Sequence, residues 1–158
     1  MPHLDYCDVV WGTCSQHLLD RLFKLQKRAA RVLLGTHYLE HSSPLFRKLG
    51  WLTLKDRLDL HRCTLVYKCL NGSAPQYLSS TLKFTNDISS RVTRSTMYKS
   101  RPKCELFKRS FLYSGPDTWN NLPVDVQNGT SLSQFERSYI SRSEERRVGK
   151  ECRSRWSP

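Results

Sequence analysis

The chain has 158 residues, of which 38% are hydrophobic and 25% charged, and its formal net charge is +12. A chain of this length and composition can bury a real hydrophobic core, which excludes collagen-like and wholly disordered proteins. No apolar run approaches the roughly 18 residues of a transmembrane helix, and no signal peptide opens the chain, so we expect an intracellular protein. The basic excess favours an anionic partner, nucleic acid before a membrane surface.

The first third of the chain predicts three helices. Apolar positions 4, 7, 10 and 11 share a helical face that Gly12 ends. Ser15 is the predicted N-cap of a long helix that runs to Leu34, and Gly35 is its stop. This long helix carries a predicted core stripe at alternating spacings of four and three, made of Leu18, Leu22, Leu25, Ala29 and Val32. A short helix then starts at Ser43-Pro44 and stops at Gly50.

The helix predicted over residues 53–70 is the expected centre of the fold. Thr53 is its N-cap, and apolar residues on two of its sides indicate that it is buried between neighbours. A short helical turn is predicted over residues 75–78. Residues 79–103 form an irregular basic segment, since no hydrophobic period survives there.

Regular secondary structure is predicted again from Cys104 onward. Residues 104–113 fit a short strand or a helix equally well, and residues 115–123 predict a helical turn bounded by prolines. Ser131 and Gln134 form a capping box that starts the last helix. The predicted fold class is therefore mainly α, with a single helical domain over residues 1–141.

Residues 142–158 lack an apolar period and predict a disordered, solvated basic tail. This segment also resembles the in-frame translation of a common sequencing-library adaptor, beginning Arg-Ser-Glu-Glu, and is interpreted as an assembly artefact. Without it, residues 1–141 keep 20 basic against 11 acidic side chains, a net charge of +9. The basic character therefore does not depend on the tail.

Several short strings, in their order and spacing over residues 4–140, resemble the C-terminal region of non-LTR (LINE-type, jockey-like) retrotransposon reverse transcriptases. They include Tyr6-Cys7, Val10-Trp11-Gly12, Leu25-Gln26-Lys27-Arg28-Ala29, Trp51-Leu52, Ala74-Pro75, Gly115-Pro116, Trp119-Asn120 and Leu122-Pro123.

The resemblance implies a region that follows the polymerase fingers and palm in a longer parent. The paired aspartates that hold metal ions for phosphoryl transfer do not occur in this chain. We therefore expect a non-catalytic fragment of an RNA-directed DNA polymerase that assists RNA or DNA binding. The alternative is a non-functional or purely structural fragment whose helices pack on missing polymerase domains. Neither interpretation requires a cofactor or a membrane.

Cysteine spacing argues against a metal site. No Cys-x-x-Cys pair occurs, and a zinc site from Cys7, Cys14, His37 and His41 fits known ligand spacings poorly. Buried free thiols in a reducing compartment are the preferred interpretation.

The strongest functional signal is basic. Five side chains occupy an arc of about 120° on the long helix, at 100° per residue, and this arc contains no acid. Such an arc can lie along a phosphate backbone, although a solvated helix face explains it as well. The candidate nucleic-acid contacts are Arg21, Lys24, Lys27, Arg28 and Arg31, with a second cluster at Arg94, Lys99, Arg101 and Lys103 beside Arg91.

Overall fold

The structure, a computed structural model, describes residues 2–88 and 96–155, with side chains described for residues 4–88 and 96–146. It is mainly helical, which confirms the predicted fold class. The helices in chain order are α1 (Pro2–Asp5), α2 (Asp8–Trp11), α3 (Gln16–Leu34), α4 (Ser42–Lys48), α5 (Leu54–Leu70), α6 (Gln76–Ser79), α7 (Thr85–Ile88), α8 (Glu105–Arg109), α9 (Phe111–Asn120), α10 (Val124–Gln127) and α11 (Leu132–Arg155).

The chain divides into two compact units, residues 1–59 and 60–158. The sequence predicts one helical domain over residues 1–141, whereas the boundary between the units lies within α5. Each unit has its own buried residues, so each is described by itself.

The core of the first unit forms between α3 and α4. Ala30, Leu45 and Phe46 are buried there, with Phe23 and Trp51 partly buried against them. The Phe46 ring lies 6.1 Å from the Phe23 ring and 6.3 Å from the Trp51 ring, in tilted geometry. Offset aromatic pairs of this kind add to the stabilisation from apolar burial.

The face by which α3 joins this core differs from the predicted stripe. Leu25 is 57% exposed and Val32 is 79% exposed, whereas Gln26 and Ala30 are buried. The buried Gln26 amide donates a hydrogen bond of 2.9 Å from Nε2 to the Leu52 carbonyl. The predicted stripe is therefore wrong, because a second face provides a small residue for close approach and an amide that satisfies a buried carbonyl.

The predicted helix ends are largely confirmed. Gly35 ends α3 with φ of +60°, a left-handed conformation that favours glycine. Thr53 Oγ accepts a hydrogen bond from the backbone N–H of Asp56 at the start of α5. Ser15 is at the N-cap of α3, but its side chain makes no capping hydrogen bond.

The first predicted helix is instead two short ones. Cys7 separates α1 from α2 because its φ of +52° is left-handed. A non-glycine residue in this conformation interrupts the helical hydrogen-bond ladder. Val10, placed on the predicted apolar face, is 72% exposed.

Buried residues lie on several sides of α5, as its sequence predicts. They are Leu54, Leu58, Leu60, Cys63, Val66, Tyr67 and Cys69. In the second unit, the Phe135 ring stacks on both the Tyr67 ring at 5.0 Å and the Trp119 ring at 5.7 Å. The Tyr67 hydroxyl donates to the Gly129 carbonyl at 2.8 Å, so its polar end is satisfied.

The segment predicted as irregular contains more structure than expected. It includes α7 and an isolated antiparallel bridge between Phe84 and Met97. Met97 is buried, and its backbone N–H and carbonyl both pair with the Asn120 side chain at 2.9 Å. A single buried methionine leaves no period in the sequence, so pattern analysis could not detect it.

The predictions for residues 104–134 can be compared with the helices found in that part of the chain. Most of residues 104–113 lie in α8 and the start of α9, with the extended Ser110 between the two helices, and Pro116 lies inside α9 rather than at its boundary. Gln134 N–H donates to Ser131 Oγ, as a capping box requires, while the Gln134 amide oxygen accepts from Thr130.

The last helix continues through residues 142–155, for which the sequence predicts disorder. Arg, Glu and Lys have high helix propensity, and only Val148 and Gly149 among residues 144–151 are weaker helix formers. Propensity can therefore extend the helix without a buried apolar face, and Glu145 and Arg146 are indeed exposed.

A pair of adjacent substitutions tests the orientation of α3. Gln26→Leu leaves the Leu52 carbonyl without its donor, but it also removes the buried Gln26 Oε1, which accepts no hydrogen bond from the described residues, so the free energy of unfolding should fall by about 1 kcal/mol. Leu25→Gln alters an exposed position and should change it by less than about 0.5 kcal/mol. Urea denaturation followed by circular dichroism measures both. A larger loss for Leu25→Gln would show that the sequence-predicted stripe is the buried face.

Candidate nucleic-acid interface

The orientation of α3 directs its basic arc away from the core of the first unit. Arg21, Lys24 and Arg28 are exposed, and Lys27 and Arg31 are partly buried. At 100° per residue, this arc runs from Lys27, on the side next to the buried face, to Arg21, on the side next to the exposed Leu25. The five side chains predicted to contact phosphate therefore share one side of the helix.

Four of the five basic side chains line one open groove of about 540 Å³ at the C-terminal half of α3. The groove is completed by Val32 and by residues that follow the helix, Gly35, Thr36 and Tyr38. Arg21 lies instead on a separate apolar groove of about 500 Å³, beside Trp11, Cys14, Leu18, Leu22 and Leu25. The structure thus separates Arg21 from the other four.

Lys27 is held by an aromatic ring. Its Nζ lies 4.3 Å from the centroid of Phe23, within the range of a cation–π contact. Because Phe23 also packs on the core of the first unit, this contact ties the ammonium group to a fixed part of the molecule. Lys27 therefore loses less conformational freedom than a fully solvated lysine when it binds an anion.

Arg31 has a structural contact as well as a charge. Its Nε and one terminal nitrogen donate to the Glu40 carbonyl at 3.1 and 2.9 Å. This two-pronged contact holds the loop after α3 against the helix, and the backbone N–H of Thr36 donates to the Arg31 carbonyl at 3.1 Å. Arg31 is therefore a positioning residue for residues 36–40.

The arc is not free of acid, contrary to the sequence prediction. Asp20, one residue before Arg21, falls within the same 120° at the N-terminal end of the arc. It accepts a hydrogen bond of 2.9 Å from the Gln16 side-chain amide. Among the described residues, no acidic side chain pairs with Lys24, Lys27 or Arg28, so the groove keeps its positive charge.

The second predicted cluster is weaker than the first. Lys99 Nζ lies 2.6 Å from Asp117 Oδ1, and this hydrogen bond raises the pKa of Lys99 above its ordinary value. Arg101 and Lys103 are exposed. Arg91 and Arg94 lie outside the described residues. One of the described cations is therefore already neutralised by a carboxylate.

The cysteines and histidines considered for a zinc site do not converge. Among the side chains that the structure describes, Cys7, Cys14, His37 and His41 do not form a ligand group. Cys63 and Cys69 are buried, as predicted, and burial raises the pKa of the Cys69 thiol. Cys7 and Cys104 are exposed, so for these two the prediction of burial is wrong.

The loop residues of the groove are not predicted by the sequence pattern. Tyr38 is 72% exposed beside the four cations, and the Glu40 carbonyl is the acceptor for Arg31. The available signal was an aromatic side chain three residues after the glycine that ends a basic helix. Periodicity does not register a single loop residue of this kind.

Comparisons with known proteins identify no relative of this chain. No protein-family model matches it, and neither the curated proteins nor the solved structures contain a significant match. Within the described residues, none of the helices combines the length and the hydropathy needed to cross a membrane.

The Arg31 contact can be tested by hydrogen exchange. Arg31→Lys keeps the charge but replaces two guanidinium donors with one ammonium group, so the loop should open more often. We expect the Glu40 amide, which donates to the His37 carbonyl, to exchange roughly twofold to tenfold faster. Arg28→Lys is the matched control on the same arc. Equal acceleration by both variants would contradict the loop-holding role of Arg31.

Proposed function

We propose that this chain binds the phosphate backbone of RNA or DNA through the groove at the C-terminal half of α3. One observation carries the proposal: Lys24, Lys27, Arg28 and Arg31 line a single open groove, and no described acidic side chain pairs with the first three. Phosphates accept hydrogen bonds from lysine and arginine without regard to base identity. The role is binding rather than catalysis.

The geometry sets the expected strength of binding. Arg31 is occupied by the Glu40 carbonyl, which leaves about three cations for phosphate contacts. Three contacts correspond to a slope of log affinity against log salt of about −2.7 on duplex DNA. Raising the salt from 50 to 200 mM would then weaken binding about fortyfold. This is the behaviour of a supporting contact in a larger assembly rather than of a tight, sequence-specific binder.

The resemblance of residues 4–140 to the C-terminal region of LINE-type reverse transcriptases gives this binding a biological setting. In that setting the chain would hold template RNA or target DNA beside polymerase domains of a longer parent protein, and residues 142–158 would be foreign to the parent. The proposal assigns no polymerase carboxylate and no cofactor to this chain.

A second candidate function is structural packing against those polymerase domains. The exposed apolar side chains on α3 favour it. Leu18 is 44% exposed, Leu25 57%, Val32 79% and Leu33 63%. A helix with this much apolar surface is typical of an interaction face. Under this alternative the basic arc is only a solvated flank of a protein–protein contact.

The two candidates differ in how affinity responds to salt. Lys24→Gln with Lys27→Gln should weaken binding to oligonucleotides of different sequence alike, and the salt slope should shrink by about 1.8 on duplex DNA or about 1.4 on single strands. Fluorescence anisotropy at several salt concentrations measures both quantities. The free energy of unfolding should fall by no more than about 1 kcal/mol, because only the Lys27 contact with Phe23 is lost.

Lys48→Gln with Lys55→Gln is the matched control, since both lysines are exposed in the first unit and outside the groove. It removes the same charge and should leave most of the salt slope in place. An unchanged slope in the Lys24 and Lys27 variant, or equal loss in the control, would favour the structural alternative.

A further inference from the structure

Tyr38 places an exposed aromatic ring beside the cationic side chains of the groove. Its side chain is 72% exposed and lines the same groove as Lys24, Lys27, Arg28 and Arg31. A tyrosine that serves the core differs in both respects. Tyr67 is 7% exposed and its hydroxyl donates to the Gly129 carbonyl. The Tyr38 hydroxyl has no hydrogen-bond partner among the described residues, so neither burial nor pairing accounts for its place.

The loop that carries Tyr38 is tied down at several points. The His37 ring lies 4.5 Å from the Tyr38 ring, tilted by 44°. The Glu40 N–H donates to the His37 carbonyl at 3.0 Å, and the Arg31 guanidinium donates twice to the Glu40 carbonyl. The turn that carries Tyr38 is therefore hydrogen-bonded to α3 through Arg31, and the Tyr38 ring contacts the imidazole of His37.

A preformed aromatic ring next to several cations matches the requirements of single-stranded nucleic acid. Base stacking on an aromatic side chain contributes in single strands because the base faces are accessible, and it is tolerant of sequence. In a duplex the base faces are already stacked on each other, so Tyr38 could add little. Backbone cations alone would not distinguish the two forms in this way.

We propose that the groove binds single-stranded RNA or DNA, with phosphates on Lys24, Lys27 and Arg28 and one unstacked base on the ring of Tyr38. This assignment rests on the proposed backbone binding and adds a preference for single strands. Arg31 acts indirectly, by holding the loop that places the ring.

The test compares three variants of the full chain on unstructured oligonucleotides. Tyr38→Ala should weaken binding to oligo(U) and oligo(dT) by about fivefold to about 150-fold, the range expected for one stacked base. Tyr38→Phe keeps the stacking face and should bind like the original chain. Leu39→Ala is the matched control, because Leu39 is the next residue and is also 72% exposed. A duplex of the same length should bind all three variants alike.

The outcomes separate the two levels of the proposal. A loss with Tyr38→Ala that is equal on duplex and single strands, or that Leu39→Ala reproduces, would overturn the stacking assignment. Unchanged single-strand affinity of Tyr38→Ala would also overturn the stacking assignment. If the Lys24 and Lys27 variant still showed a reduced salt slope, the proposed backbone binding would remain supported. If none of the oligonucleotides showed salt-dependent binding, both the stacking assignment and the proposed backbone binding would be overturned. A loss confined to oligo(U) or to oligo(dT) supports stacking and identifies which of the two oligonucleotides the groove accepts.

Discussion

The hydrogen bond from the buried Gln26 amide to the Leu52 carbonyl, together with the packing of Ala30 on Leu45 and Phe46, sets which way α3 faces. A buried carbonyl left without a donor costs about 1–3 kcal/mol, which is a substantial part of the stability of a small unit. Any rotation of α3 that buried Leu25 would carry Gln26 away from this acceptor. The same orientation brings Ala30 against Leu45 and Phe46, where the small side chain allows close approach. The basic arc faces outward as a consequence of this packing.

Sequence patterns predicted the extent of α3 but not its buried face. Gly35 and the residues around Ser15 mark its ends through local backbone chemistry, which is readable from the sequence alone. The helix, however, carries two apolar faces. One contains the exposed Leu25 and Val32, and the other contains Phe23 and Ala30. Counting large aliphatic residues selects the first face, whereas the partner helix α4 and the Leu52 carbonyl select the second. That choice depends on contacts distant in the chain.

In the candidate site, too, some features could be predicted from local sequence and others depend on contacts between residues distant in the chain. Its cations were predicted because charge on a regular helix has a fixed angular spacing. Tyr38 and the role of Arg31 were not, since both depend on how residues 36–40 return toward α3 and on the carbonyl of Glu40. Likewise, the carboxylate that neutralises Lys99 lies 18 residues away in the chain, at Asp117. Local patterns identify charged groups, and tertiary contacts decide which of those charges stay free.

The central claim is that α3 presents Lys24 and Lys27 to nucleic acid as parts of one groove. Lysine acetylation under limiting reagent, with and without a single-stranded oligonucleotide and read by mass spectrometry, tests it at the level of single residues. Bound oligonucleotide should slow the modification of Lys24 and Lys27 while Lys48 and Lys55 react at unchanged rates. Protection confined to Lys99 and Lys103, or equal protection of all lysines, would contradict the account.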